Sequence, residues 1–306
     1  MGLWRNIESL YSLKISDYQP VRDVFRITTK NGGVLCLKPF AYAQHEVQFI
    51  AEAMEYLRGS GFPYVPEILR SADNSLWVRI KQRKFMLTQW VQGRHPDFSH
   101  PVEYRQAIQT LAHFHQHTEG FVCSHCPTCR RKVDQLGHRI RRTHQLLQQT
   151  EFIPIASQTM LLDFCEIAQS RLHHPMVQQG IAQEATDGAF AHGDFNYPNL
   201  VRDIHGVLHV IDFDATAYQV RMVDLAHLLQ RNCRWSGENI LRWVEVYDGV
   251  RTLSDKDRAI LTVLLHIPET IARQIRLQSR RNKSVSWRWP SARTLRAYSR
   301  RVNQIL

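Results

Sequence analysis

An α+β fold is predicted for this chain: a small antiparallel sheet carrying one helix, followed by a larger and mostly helical part. Three patterns point to it. Residues 24–40 read "VFRITTK", "NGG", "VLCLKPF", two β-branched and apolar runs joined by an Asn-Gly turn, which is a hairpin signature. Residues 41–61 follow with Val47, Ile50, Met54 and Leu57 at helical spacing and a glycine stop. After "QGRHPDF" nearly every segment carries a 3.6-residue apolar period. The expected division is therefore a sheet-rich part over residues 1–90 and a hinge with a helical part over 91–306, including a basic tail over 273–306.

Taken in order, "SLWVRIK" and "KFMLTQWV" supply two more strands to the first part. In the second, helices are expected over "VEYRQAIQTLAHFHQHT", "DQLGHRIRRTHQLLQQ", "SQTMLLDFCEIAQSRLHH", "MVDLAHLLQRN", "GENILRWVEVYDGV", "KDRAILTVLLHIPETIARQIRLQ" and "ARTLRAYSRRVNQIL". One strand-like stretch, "VLHVIDFD", interrupts them, and "RRNKSVSWRWPS" is the segment expected to be flexible.

Bulk properties narrow the class. With 43% hydrophobic and 22% charged residues in 306, the chain has material for a sizeable core, which excludes global disorder. The longest apolar stretches, such as residues 259–265, fall far short of a bilayer span, and "MGLWRNIESL" lacks the basic start and apolar core of a signal peptide, so a cytoplasmic protein is expected. Six cysteines are too few for a disulfide scaffold of this length, so reduced thiols are expected. The net charge, 39 − 28 = +11, is unevenly spread: residues 273–301 hold ten basic residues and no acid. That tail reads either as the solvated face of closing helices, which is the ordinary case, or as a docking surface for nucleic acid, an anionic polymer or an acidic protein, a reading to which Trp287, Trp289 and Tyr298, interleaved with the arginines, lend support.

Chemistry concentrates in "AHGDFNYPNLVRDIHGVLHVIDFD", residues 191–214. Gly193 and Pro198 prevent a continuous helix, so Asp194 and Asn199 sit on a loop able to turn both side chains to one cavity. Asp212 closes an apolar strand, where a strand delivers a side chain to a site. Asn199 and Asp212 offer the hard oxygen ligands that suit Mg²⁺. Asp194 remains to align an incoming hydroxyl and take its proton, the base that phosphoryl transfer needs. Upstream, Lys38 lies among apolar strand neighbours and needs an anion. Glu46, early in the next helix, is placed to pair with it and hold it toward a triphosphate, with Glu52 and Glu55 as competitors on the more polar face.

The order Lys38, Glu46, "MLTQWVQGR", "HGDFNYPN", "VIDFD" resembles the aminoglycoside phosphotransferase and choline kinase branch of the protein-kinase-like fold. "VIDFDATAYQVRMVDLAHLLQR", "LRGSGFPYVPEIL" and "LTQWVQGR" look like the bacterial spore-coat kinase-like proteins of the CotS type. The resemblance covers nearly the whole chain. It implies a two-lobed protein-kinase-like fold that uses ATP and Mg²⁺, with Lys38 on the phosphates, Glu46 orienting it, and the Gln89 to Val91 backbone meeting the adenine. It further implies Asp194 as base, Asn199 and Asp212 on the metal, and Asp224 as a brace for the loop that also reads as a helix N-cap. The four residues Lys38, Asp194, Asn199 and Asp212 are expected around one crevice.

The function expected is an ATP- and Mg²⁺-dependent phosphotransferase with a hydroxyl-bearing acceptor, deposited in the spore coat among other coat proteins. The alternative is a catalytically silent coat or scaffold protein of the same fold, acting through its basic C-terminal surface. Two departures from the family pattern stand out. "SDYQPVRDVF", the hairpin that should cover the phosphates, has no glycine, and Arg22 is the expected substitute. Only nine residues separate Asp214 from Asp224, too few for a long peptide-docking segment. "CSHCPTC" offers thiolates at CxxCxxC spacing, but no second pair completes a zinc site, and the histidines of "HFHQH" read as a surface helix.

Overall fold

The computed structural model describes residues 2–281 and 289–306, and the chain forms two units. The first comprises residues 1–97, 121–131 and 196–216. Its division differs from a simple cut at residue 90, because two later segments return to the sheet-rich unit.

Helix α1 (Leu3–Leu10) opens the first unit, followed by strands β1 (Ile15–Val21), β2 (Val24–Thr29) and β3 (Val34–Phe40). Helix α2 (Gln44–Gly59) and strands β4 (Val78–Ile80), β5 (Arg83–Gln89) and β6 (Gly93–Arg94) complete its leading segment. The sheet runs β1-β2-β3-β5-β4 and is antiparallel throughout. Alternation along β3 and β5 sorts the side chains. Leu35, Leu37, Phe85 and Leu87 turn to one face and bury against Ile7 and Tyr11 of α1 and the turn after it. Cys36, Lys38, Met86 and Thr88 turn to the other face, which lines a cavity. Helix α1 was not expected, whereas β1 and its tight turn into β2 form the hairpin expected over "SDYQPVRDVF". Leu3, Trp4, Ile7, Leu10 and Tyr11 do recur at helical spacing, but the segment spans barely two turns; β1 is an exposed edge strand containing Pro20, with little apolar patterning.

The returning segments attach by defined contacts. Strand 200–203 pairs with β6 on one side and with strand 208–210 on the other. Gly93 permits the first pairing, since a Cβ there would lie 2.2 Å from the Arg202 carbonyl oxygen. Residues 121–131 lie along α2, with Phe121 packed on Phe49 and Tyr56.

The second unit, residues 98–120, 132–195 and 217–306, is helical. It contains α3 (Pro101–Gln116), α4 (Leu136–Gln148), α5 (Ile155–Leu172), α6 (Pro175–Thr186) and α7 (Met222–Asn232). They are followed by α8 (Gly237–Asp248), α9 (Asp255–Leu265), α10 (Glu269–Arg281) and α11 (Ala292–Val302). The single long period expected over 256–278 is broken into α9 and α10 at Pro268, which cannot donate a helical hydrogen bond. Helix α6 went unread because its buried positions are few, Val177, Gly180 and Glu184. Lys283, Trp287 and Arg288 of the basic tail, and most of the stretch expected to be flexible, lie outside the described residues.

One buried ion pair ties the helical unit together. Arg221, 3% exposed, donates from Nε to Glu184 Oε1 at 2.9 Å and from Nη1 to the His115 carbonyl at 3.1 Å, and also pairs with Glu119. Removing one partner of such a pair strands the other as an uncompensated buried charge. Arg221→Met is therefore expected to lower the unfolding free energy by about 3–5 kcal/mol, read as a shifted urea midpoint with an unchanged slope.

Candidate active site

The cavity of the first unit has a volume of about 590 Å³, within the range of small-molecule sites. Its roof includes Arg22 and Asp23 of the β1–β2 turn, where Arg22 adopts the left-handed φ of 54° that a glycine would ordinarily take. Gln89, Trp90 and Val91 line it where β5 ends. The Gln89 and Trp90 amides are occupied by the Glu67 and Val34 carbonyls at 2.8 and 3.1 Å, while the Val91 N–H makes no such bond among the described residues.

Lys38 occupies the middle of β3, opposite Met86, on the cavity face. Its Nζ donates to Asp212 Oδ1 at 2.6 Å and lies 2.7 Å from Asp214 Oδ1. Burial by itself pulls the Lys38 pKa down, but the two carboxylates outweigh it, so the net shift is upward and the ammonium stays charged. Asp214 is held above the ordinary carboxylate range by burial, against the pull of Lys38. Its Oδ1 is buried and accepts no aligned hydrogen bond. Asp212 sits in the left-handed region at φ 64°, a conformation Asp tolerates better than most residues. That backbone turn aims its side chain back at the cavity as the strand ends, before a 3₁₀ turn over Phe213–Ala215.

Asn199 is 8% exposed and lines the same cavity. Its carbonyl accepts from the Ile211 amide at 2.9 Å, which fixes the loop bearing Asn199 beside the strand that ends in Asp212. Asn199 offers an amide oxygen and Asp212 a carboxylate, with the Asp214 carboxylate beside them on the same cavity, and this set of hard oxygens suits Mg²⁺.

Glu46 is not where the sequence reading put it. Its carboxylate accepts from the Ala43 amide at 3.2 Å and pairs with Arg130 at 3.0 Å, and no contact with Lys38 is made. Lys38 has two nearer carboxylates, and Arg130 offers Glu46 a fork of donors. The competitors are also engaged elsewhere: Glu52 with Gln48 and Ser124, Glu55 with Arg70.

Arg130 is the residue that sequence reasoning missed. It is 4% exposed and donates from Nη1 to the carbonyls of Asp214 at 2.5 Å and Thr216 at 3.0 Å, besides holding Glu46 and lying over the Tyr42 ring. The signal was present only as the basic run Arg130, Arg131 and Lys132 after "CSHCPTC", where the cysteines drew attention. Cys123 is pushed up to about 12 by burial and then by neighbouring Glu52, so it stays a thiol. Among the described residues, no group of three or more His, Cys, Asp or Glu is arranged to hold a metal ion.

Asp194 belongs to the second unit. There its Oδ1 accepts from Arg231 Nη1 at 2.7 Å. The loop carrying it is braced by Asp224, fully buried, whose two oxygens accept the His192 and Gly193 amides at 2.7 and 2.8 Å. Burial raises the Asp224 pKa to about 6, against the pull of His192 and the two amides. Asp224 is in the first turn of α7 and not its N-cap, which is Arg221. Of the histidines in "HFHQH", His113 is exposed as the surface-helix reading expected, whereas His115, on the opposite face, is buried between Tyr247 Oη at 2.7 Å and Asp224 at 3.5 Å. Tyr298 is likewise core, donating to the Leu265 carbonyl, so it is no part of a surface basic-aromatic face.

These two units, a five-stranded antiparallel sheet with its helices and a helical unit bearing the HGD loop, are those of the two-lobed protein-kinase-like fold. The phosphotransferase enzyme family APH matches residues 21–258, and the chain belongs to that family. It is 22% identical over 264 residues to Spore coat protein S of Bacillus subtilis (strain 168), covering 81% of this chain and 74% of that one. Its fold is similar to that of an aminoglycoside phosphotransferase from Alicyclobacillus acidocaldarius, at a TM-score of 0.72 and 18% identity over 97% of this chain and 92% of the other. It is also similar to the amicoumacin kinase hAmiN solved with AMP-PNP, Ca²⁺ and Ami, at a TM-score of 0.63 and 16% identity over 98% and 91%.

Arg130→Met should release the turn that follows Asp212. The expected result is amide hydrogen exchange over residues 213–216 accelerated at least tenfold, as two carbonyl bonds and a buried charge pair are lost, with the β2–β3 hairpin unchanged. Equal protection in variant and wild type would show that Arg130 does not hold the turn.

Proposed function

We propose that this protein is an ATP- and Mg²⁺-dependent kinase that transfers a phosphoryl group to a hydroxyl-bearing acceptor, and that it is made in the cytoplasm and associated with the spore coat. The observation that carries the reading is the grouping of Lys38, Asn199 and Asp212 on one cavity beside a strand end with a free backbone donor. In this reading Lys38 binds the phosphates, its charge secured by Asp212 and Asp214. The Gln89 carbonyl and Val91 N–H meet the adenine, and Arg22 covers the phosphates in place of a glycine loop. Asn199 and Asp212 hold Mg²⁺, which would neutralise phosphate charge that builds up during transfer. Glu46 acts through Arg130, steadying the metal loop. Asp194, on a loop braced by Asp224, orients the acceptor hydroxyl and takes its proton.

Likeness to a spore coat protein supports the coat assignment. The exposed arginines of α11, Arg293, Arg296 and Arg300, support a further contact with an acidic coat protein or anionic polymer.

The alternative of a catalytically silent coat scaffold draws on one observation, that Glu46 is held by Arg130 and not by Lys38. Turnover separates the two. With ATP, Mg²⁺ and a panel of hydroxyl compounds, the wild type is expected to release ADP, and Asp194→Asn to lower kcat by about 10²–10⁴-fold with nucleotide affinity kept. Equal rates in wild type and variant would favour the scaffold.

A further inference from the structure

The acceptor is the open part of this reaction, and the surroundings of Asp194 bear on it. Arg231, which grips Asp194, stands two helical turns beyond Asp224, so the helix that braces the loop also delivers an arginine to it. Helix α10 packs against both α7 and α4. What these neighbours add is cationic. Arg139 of α4 reaches His227 Nε2 at 3.4 Å, and shares Glu269 with Arg276 at 3.4 and 3.6 Å.

His227 is kept neutral, by burial first and then by the charges of Arg139 and Arg231. Its Nδ1 is buried with no hydrogen-bond partner among the described residues. Among the described side chains, helices α4, α7 and α10 carry three, one and two arginines, six in all, against two carboxylates. One of these, Asp224, is consumed inside by the loop amides, which leaves Glu269. A cationic acceptor brought to Asp194 would meet like charge, whereas an arginine fork binds a carboxylate or phosphate in two directed hydrogen bonds.

We propose that the acceptor is a small anionic hydroxyl compound, a hydroxy acid or a phosphorylated polyol, whose acid group is bound by Arg231 and Arg139 while Asp194 faces its hydroxyl. The short connection between Asp214 and Asp224 agrees with a small molecule. This rests on the phosphotransferase reading above. The acceptor oxygen forms a bond to the γ-phosphorus as the bond from that phosphorus to the β,γ-bridging oxygen breaks. The hydroxyl proton passes to Asp194 and on to solvent, and ADP leaves with the electron pair of the broken bond.

The test is the initial rate of ADP release with ATP, Mg²⁺ and, in turn, glycerate, glycerol 3-phosphate, glycerol and the polycationic kanamycin. One of the two acids should exceed glycerol at least tenfold in kcat/KM, the better one telling carboxylate from phosphate recognition, and kanamycin should be inert. In Arg231→Met, folded to the wild-type melting temperature, that preference should vanish through KM, and Arg231→Lys should restore part of it. Glycerol or kanamycin matching the acids, or a preference that survives Arg231→Met, would overturn the assignment. Silence of both acids while ATP still binds with Mg²⁺ overturns the acceptor class alone; absence of Mg²⁺-dependent ATP binding takes down the phosphotransferase reading with it.

Discussion

A lysine ammonium in the middle of a sheet, largely out of water, is held between two carboxylates that arrive from more than 170 residues downstream. Desolvating the ammonium is costly, and only close opposite charge makes its burial tolerable. The pair of ion contacts therefore does more than satisfy Lys38. It fixes the loop after strand 208–210 to the cavity face of β3, and with it the position of Asp212. A neutral residue at 38 would leave two adjacent carboxylates repelling each other, one of them buried.

The same region is secured a second way. Arg130 grips the backbone of the turn after Asp212 and anchors it through Glu46 to α2. Asp212 itself occupies the left-handed region, a conformation that persists where its surroundings hold it. The Asn199 carbonyl and Arg130 supply that hold from either side along the chain. In the helical unit the corresponding device is Asp224, whose buried carboxylate accepts two amides of the loop bearing Asp194 and so sets that loop's direction.

Much of this was legible from residue patterns. The hairpin, α2, the later strands and most of the helices follow from period and turn chemistry; of the four residues expected around one crevice, Lys38, Asn199 and Asp212 line the cavity of the first unit, and Asp194 belongs to the second unit. What escaped depends on contacts that no local pattern encodes. Glu46 was read against the nearest basic strand residue, yet its partner is an arginine 84 positions away. Tyr298 was read by residue type as a surface group and His115 was given no inward role; both are core because a buried partner, the Leu265 carbonyl for one and Tyr247 for the other, satisfies their polar atoms. The return of segments 121–131 and 196–216 to the sheet unit rests on pairing with β6 and packing on α2, which sequence order conceals.

The central claim is that Lys38, Asn199 and Asp212 form one site for a nucleotide with its divalent cation. Calorimetric titration with a non-hydrolysable ATP analogue, run across a range of Mg²⁺ concentrations, tests it most directly. The account predicts affinity that rises with Mg²⁺ in the wild type, loses that dependence in Asp212→Asn, and falls sharply in Lys38→Met at every Mg²⁺ concentration. Binding of equal strength in all three proteins, or none in the wild type, would contradict it.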